Sequence, residues 1–291
     1  MHCKGKGSAL KIDFHIHITH HYQPMSRSLA EFLRQSWGDR LEWMIETYAS
    51  PEKFLHLMDE AEIDYAVILA DISPMVTGIS NNEAVARFCS ASDRLIPFAN
   101  LNPHTFLNMA EEIERLTEKL GFRGIKLYPT YQNFYPNDAV MYPLYAKSQE
   151  LGLPISFHTG SSTFAGARLK YGDPLFLDDV AVDFPDLVLL QCHCGRPLWY
   201  ENALAVTRLH PNIYMEISGL PPKKLLDYFP GFERLSHKVI YGSDWPGVTN
   251  LVDNVQAIKN LPIKEESKIR ILGENAATIL KLPHHPAGLD G

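Results

Sequence analysis

Cysteine is scarce in this 291-residue chain, which has four: Cys3, Cys89, Cys192 and Cys194. So few thiols make no disulfide framework for a chain of this size, and a reducing, cytoplasmic setting is expected. No apolar run approaches the roughly 20 residues needed to cross a bilayer, which argues against a membrane protein. The opening stretch 1–7 carries charge but no following apolar segment, so it does not read as a signal peptide. Positive charge is also in deficit, with 27 Lys and Arg against 34 Asp and Glu, a net charge of −7. The basic residues are scattered and the densest pair is Lys223-Lys224, so no nucleic-acid groove is expected. No Gly/Ser-rich linker divides the sequence.

What remains is an ordinary globular composition, 45% hydrophobic and 21% charged. Eight short apolar segments read as strands: 10–17, 65–70, 95–101, 124–129, 154–158, 187–193, 213–217 and 238–244. Helical spacing lies between them at 51–61, 82–89, 107–120, 141–151 and 264–280. In the first of these, Phe54, Leu55, Leu57, Met58 and Ala61 recur at helical intervals. Apolar strands without polar alternation suit a parallel sheet covered by helices. Eight strand–helix units in one chain of this length predict a single-domain α/β fold, a (β/α)8 TIM barrel. The expected organisation is an N-terminal segment 1–9, a barrel over 10–282 and a tail over 283–291 whose His284 and His285 are solvated. The stretch 20–48, rich in bulky residues that include Trp37 and Trp43, is an insertion after the first strand and is expected to form helices over the barrel mouth.

The first strand ends in Asp13-Phe14-His15-Ile16-His17. Alternation puts His15 and His17 on one face, where two imidazoles can share a divalent cation. Asp13 is expected on the same side, deeper in the barrel. Polar residues close other strands too: His158 the fifth, His193 the sixth and Asp244 the eighth. A parallel barrel gathers strand ends at one mouth, where barrel enzymes keep their active sites. Taken singly, each histidine is more often a hydrogen-bonded or solvated group than a ligand. As a set, three imidazoles and a carboxylate suit Zn²⁺, with Mn²⁺ or Fe²⁺ as alternatives. Cys192 and Cys194 flank His193, so alternation turns them away from it toward the helices as small buried apolar groups. Glu216, closing the seventh strand, either faces the mouth or pairs with a lysine. Tyr128, Tyr131, Arg168, Arg196 and Trp199 follow site-bearing strands. Of these, Tyr128, Arg168 and Arg196 are the candidate substrate-binding residues. Arg196 either anchors a substrate carboxylate or forms a structural ion pair. Trp245 and Pro246 are expected to pack beside Asp244 without touching substrate.

The series Asp-Phe-His-Ile-His, Ser-Phe-His-Thr-Gly, Gln-Cys-His-Cys-Gly and Tyr-Gly-Ser-Asp-Trp-Pro resembles the amidohydrolase superfamily. The ending Ile271-Leu272-Gly273-Glu274-Asn275-Ala276-Ala277 is similar to the last helix of its amidohydrolase-2 branch, which includes aromatic-acid decarboxylases. The resemblance runs from the first strand to the last helix. It implies that His15, His17, His158 and Asp244 ligate metal and that Asp244 and His193 are catalytic. It gives His193 either a second metal or a part in proton transfer and substrate polarisation. Lys126, in Lys-Leu-Tyr-Pro, is similar to a lysine that is carboxylated in the dihydroorotase-like branch and bridges two metals. Uncarboxylated, it would hold a substrate carboxylate or a neighbouring acid. One ion is expected in preference to two.

The expectation is a metal-dependent hydrolase that activates water to cut an amide, ester or lactone bond of a small carboxylate-bearing substrate. The alternative is non-oxidative decarboxylation of a small unsaturated or aromatic acid. A barrel that binds metal or ligand without catalysis stands third, since fold does not imply function. Related barrels often pair, and the aromatic insertion suits either a lid or a homodimer contact.

Overall fold

The computed structural model describes residues 9–18 and 21–283, so Cys3, His20 and most of the predicted tail lie outside the described residues. Ten strands occur among them: β1 (Ile12–His17), β2 (Tyr65–Leu69), β3 (Asp71–Ser73), β4 (Gly78–Ser80), β5 (Leu95–Phe98), β6 (Ile125–Leu127), β7 (Ile155–His158), β8 (Leu189–Cys192), β9 (Ile213–Glu216) and β10 (Val239–Ile240). Strands β1, β2 and β5 form one parallel arc, and β6 to β10 form another. The arcs meet at both edges. Ala99 bridges to Ile125 beyond β5, and Ile16 bridges to Trp245 beyond β10, both in parallel. The N–H groups of Phe14 and His17 donate to the carbonyls of Tyr241 (3.0 Å) and Trp245 (2.9 Å) across the second seam. All eight predicted barrel strands are present, each shorter than expected.

Alternation sorts the side chains into two apolar layers. Ile12, Phe14, Val67, Leu69, Ile96 and Phe98 share one cluster with Ala276, Ala277 and Ile279 of the last helix. The intervening Ala66, Ile68, Ala99 and Ile125 belong to the larger cluster with the surrounding helices. Phe14 and Phe98 meet edge to face at 5.3 Å inside the ring.

The β1–β2 register slips between Asp13 and Ile16, so Asp13 is not simply one pleat below His15 as alternation predicts. Its Oδ1 accepts from the backbone N–H groups of His15 (3.1 Å) and Ser243 (2.9 Å), stitching the seam between β1 and the segment after β10.

A hairpin, β3–β4, follows β2 directly and was not foreseen. Gly78 in it has φ +118°, and a Cβ there would lie 2.1 Å from the Pro24 carbonyl oxygen, so only glycine fits. The insertion forms helices Arg27–Trp37 and Leu41–Ala49. Ser26 caps the first of these, its hydroxyl accepting from Leu29 N–H at 3.1 Å. That helix buries Leu29, Leu33 and Trp37. Trp37 lies edge-on to Trp245 at 4.8 Å and donates to the Pro246 carbonyl at 3.0 Å, which ties the insertion to the segment after β10. Among the described residues no helix is long and apolar enough to cross a membrane.

Candidate active site

His15 and His17 turn their Nε2 atoms toward each other, 3.2 Å apart. Asp244 Oδ1 joins them at 3.4 Å and 3.7 Å. These three residues form a group whose ligand atoms all lie within 4.8 Å of one another. The opposite nitrogen explains the orientation. His15 Nδ1 lies 2.8 Å from Glu216 Oε2, and Glu216 also accepts from the Ser218 hydroxyl (2.8 Å) and the Ser218 N–H (2.9 Å). A carboxylate at Nδ1 fixes the proton there and leaves the Nε2 lone pair to the cavity. Burial and the Lys126 ammonium hold both imidazoles below their ordinary pKa, His17 at about 3, so both are neutral. Burial pushes the Glu216 carboxyl up to about 7, against the pull of Lys126.

His193 and Asp244 reach the mouth by leaving the strand geometry. Strand β8 ends at Cys192, and His193, Cys194 and Asp244 have φ of 65°, 48° and 69°. The expected outward orientation of Cys192 is therefore corrected. Its Sγ lies within 4.8 Å of ligand atoms of His15 and Glu216, because unbroken alternation does not run through His193. Cys194 does pack in the outer cluster, as predicted.

His193 Nδ1 donates to the Ser218 carbonyl at 2.9 Å, and its ring lies 5.0 Å from His15 and 4.6 Å from His158. His158 itself sits 4.8 Å from the Tyr131 ring, with Nε2 3.4 Å from the Ser161 carbonyl. Both line the cavity, outside the tight group of His15, His17 and Asp244.

Arg196 forms the structural ion pair considered for it. Nη1 donates to the Gly219 carbonyl (2.8 Å), Nη2 reaches Asp244 Oδ2 at 3.4 Å, and the side chain also lines the cavity. Burial raises the Asp244 carboxyl above its ordinary range, countered by Arg196 and Lys126. Lys126 is fully buried, 5.2 Å from the Tyr128 ring and beside the Cys192 thiol. Its Nζ makes no hydrogen bond of normal geometry.

The cavity holds about 280 Å³, the size of a small metabolite's pocket. Tyr128 lines it, with its hydroxyl donating to the Ala70 carbonyl at 3.0 Å and Tyr131 stacked at 5.5 Å. Arg168 does not. Its N–H donates to the Thr130 carbonyl, and its side chain is exposed because no buried carboxylate recruits the guanidinium. Trp199 is also absent from the lining. Trp245 is absent from the lining and packs on Trp37, whereas Pro246, expected beside Asp244 and away from substrate, faces the cavity. Several contributors are not singled out by the sequence, Tyr22, Asp71, Thr77 and Ser218 among them. Asp71 did carry a signal, a lone acid just past an apolar strand, the same pattern that singled out Asp244.

Residues 12–282 match the sequence profile of the amidohydrolase family. Among solved structures, an uncharacterised TIM-barrel protein from Bordetella bronchiseptica superposes with a TM-score of 0.74 at 24% identity, covering 93% of this chain and 98% of that one. The 5-carboxyvanillate decarboxylase of Novosphingobium aromaticivorans, complexed with manganese and a nitrobenzoic acid, gives 0.71 at 18% identity, with 96% and 98% covered. A dihydroxybenzoic acid decarboxylase from Polaromonas sp. JS666, with bound manganese and 2-nitroresorcinol, gives 0.67 at 16% identity, with 97% and 100% covered. At these identities the likenesses establish the fold, a TIM barrel.

Proposed function

The chain belongs to the amidohydrolase family, and from that premise we propose that it is a metal-dependent, non-oxidative decarboxylase of a small aromatic or unsaturated acid. The observation that carries this reading is the Arg196–Asp244 pair in a cavity walled by Tyr22, Phe32, Tyr128, Tyr131 and Phe164. A guanidinium binds a carboxylate, aromatic walls suit a planar acid, and the adjacent carboxyl is a proton donor. The decarboxylases among the structural neighbours support the same choice over hydrolysis, which the sequence put first.

The donor set fits a divalent cation: two neutral imidazoles presenting Nε2, one locked at Nδ1 by Glu216, with a carboxylate oxygen alongside. His15, His17 and Asp244 would hold it, and His158 is the fourth ligand we propose. Such an ion polarises a substrate oxygen as a Lewis acid. Zinc and manganese both suit these ligands, and the manganese in the two decarboxylases supports a divalent ion of this kind. The two groups of candidate ligands, His15 with His17 and Asp244 and His15 with Cys192 and Glu216, share His15, so we propose a single ion, with Lys126 uncarboxylated.

In this mechanism Arg196 orients the substrate carboxylate. Asp244, which lines the cavity beside Arg196, takes a proton from water and delivers it to the carbon bearing the carboxylate. The C–C bond then breaks, its electron pair restores the unsaturated system, and carbon dioxide leaves. Asp244 is reprotonated from water. Tyr128 and Tyr131 hold the plane of the acid, and the helix Arg27–Trp37 limits water through Leu29, Phe32 and Leu33.

Hydrolysis is the second reading, favoured by the 17% and 18% side-chain exposure of His17 and Asp244, which admits water to the group. The two are separated by incubating manganese-loaded and zinc-loaded protein with a panel of hydroxybenzoates, lactones and esters. Carbon dioxide evolved from an acid supports decarboxylation, and base-consuming turnover of a lactone or ester alone overturns it. We place the protein in a reducing compartment, consistent with the unpaired thiols of Cys89, Cys192 and Cys194. A homodimer through the helix Leu41–Ala49, where Trp43 is 44% exposed, is the assembly we propose.

A further inference from the structure

We propose that Asp71 is a specificity residue, selecting acids that carry a hydroxyl or amino group on the end remote from their carboxylate. The inference rests on the acid-binding reading of the same cavity. Asp71 opens β3 and lines that cavity. Three hydroxyls hold its carboxylate: Ser73 Oγ donates to Oδ1 (2.5 Å), while Tyr22 Oη (2.9 Å) and Thr77 Oγ1 (2.6 Å) donate to Oδ2.

The backbone beside it is equally constrained. Asn100 Oδ1 accepts from Ile72 N–H at 2.8 Å, and the Ile72 carbonyl accepts from Asn102 Nδ2 (2.9 Å) and Gln132 Nε2 (3.1 Å). Three buried amide side chains thus fix the residue next to Asp71, the support expected of a group held ready for a ligand.

Asp71 is 1% exposed, and the Lys126 ammonium acts on its charge without forming a hydrogen bond to it. Burying a carboxylate in an aromatic wall is costly without a partner charge in direct contact. A fold with no use for it there would gain by replacing it. Two hydroxyls already donate to Oδ2 and one to Oδ1, which leaves Oδ1 capacity for a further donor.

Position sets which part of a ligand it meets. Asp71 follows β2 and Arg196 follows β8. Around the ring β1-β2-β5-β6-β7-β8-β9-β10 those strands are four apart, on opposite sides of the mouth. An acid whose carboxylate reaches Arg196 therefore extends its far end toward β2. A donor on that end adds a fourth hydrogen bond to the Asp71 carboxylate, whereas an ether or methyl group sets an acceptor or an apolar group against Oδ1 and shuts out water. Sites built to bind a donor discriminate strongly against analogues lacking it.

The test is calorimetric binding of benzoate, 4-hydroxybenzoate, 4-aminobenzoate and 4-methoxybenzoate to the full-length protein, without turnover. The expected result is wild-type preference for the hydroxy and amino acids over the methoxy acid by about tenfold or more. Asp71→Asn should cut that ratio to within about threefold while leaving methoxy binding little changed. Tyr22→Phe removes one of the orienting hydroxyls and should lower the ratio in part, with an undisturbed circular dichroism spectrum. It decides the matter should Asp71→Asn fail to fold. An absent preference in the wild type, or a ratio unmoved in the folded variants, overturns the inference. Binding preference without carbon dioxide release would overturn only the decarboxylase reading, and release without preference only this one.

Discussion

Glu216 Oε2 lies 2.8 Å from His15 Nδ1, and this contact decides which nitrogen His15 offers to the cavity. Its consequence is measurable. Glu216→Gln removes the charge that fixes the Nδ1 proton while keeping the side chain's shape. Manganese or zinc affinity, read by competition with a chromophoric chelator, should fall by about 10- to 100-fold. Unchanged affinity in a folded variant would separate Glu216 from the ion site.

Lys126 supplies the second prediction. Burial first, and its ammonium second, lower the pKa of His15, His17 and His158, so these imidazoles stay neutral as pH falls. In Lys126→Met that influence is gone and their pKa values rise, although burial still holds them down. Protons then compete with metal at higher pH. The acid limb of metal binding should move upward by about one pH unit. A limb that moves down, or a loss of metal at every pH, would point to a lysine that is itself a ligand.

Gly219 joins the two halves of the site through its backbone. It has φ +63°, and a Cβ there would lie 2.0 Å from Arg196 Nη1 and 2.5 Å from Asp244 Oδ2. Gly219→Ala must displace the guanidinium. We expect kcat/KM to fall by about 100-fold, with a stability loss on the order of 1–2 kcal/mol from the left-handed backbone. Activity within a few-fold of wild type would show that the Arg196–Asp244 geometry is not needed.

Stability at Asp71 should depend on pH in a defined direction. Burial raises its carboxyl from 3.8 to about 6, so between these values the folded chain holds a proton that the unfolded chain has released. That contribution is fully present below about pH 4 and lost as pH rises through 6. Asp71→Asn carries a pH-independent offset but lacks this loss. Relative to wild type it should gain on the order of 2 kcal/mol between pH 4 and 7, read from urea midpoints. A parallel pair of stability curves would refute the shift.

The barrel was legible because eight apolar segments separated by helical spacing admit few other folds, and segment 82–89 matched helix Asn82–Cys89 residue for residue. The parts of the site that escaped notice did so for local physical reasons. Cys192 departs from the expected orientation because alternation ends at His193, where the backbone turns to φ 65°. The register slip after Asp13 depends on pairing with β2, which no local pattern in β1 reports. Asp71 and Tyr22 are 49 residues apart in the chain and become one hydrogen-bonded pair only when the insertion folds over the hairpin. Arg168 and Arg196 looked alike as loop arginines. What separates them is Asp244, 48 residues from Arg196 in sequence and 3.4 Å away in space.

In the proposed reaction Asp244 protonates the carbon from which carbon dioxide departs. The direct measurement uses metal-loaded protein in deuterium oxide with a ¹³C-carboxyl-labelled hydroxybenzoate. The account predicts labelled carbon dioxide, one deuterium at the vacated carbon, and a loss of about 10³-fold or more in Asp244→Asn with metal still bound. Deuterium-free product, or an Asp244→Asn variant with substantial activity, would contradict it.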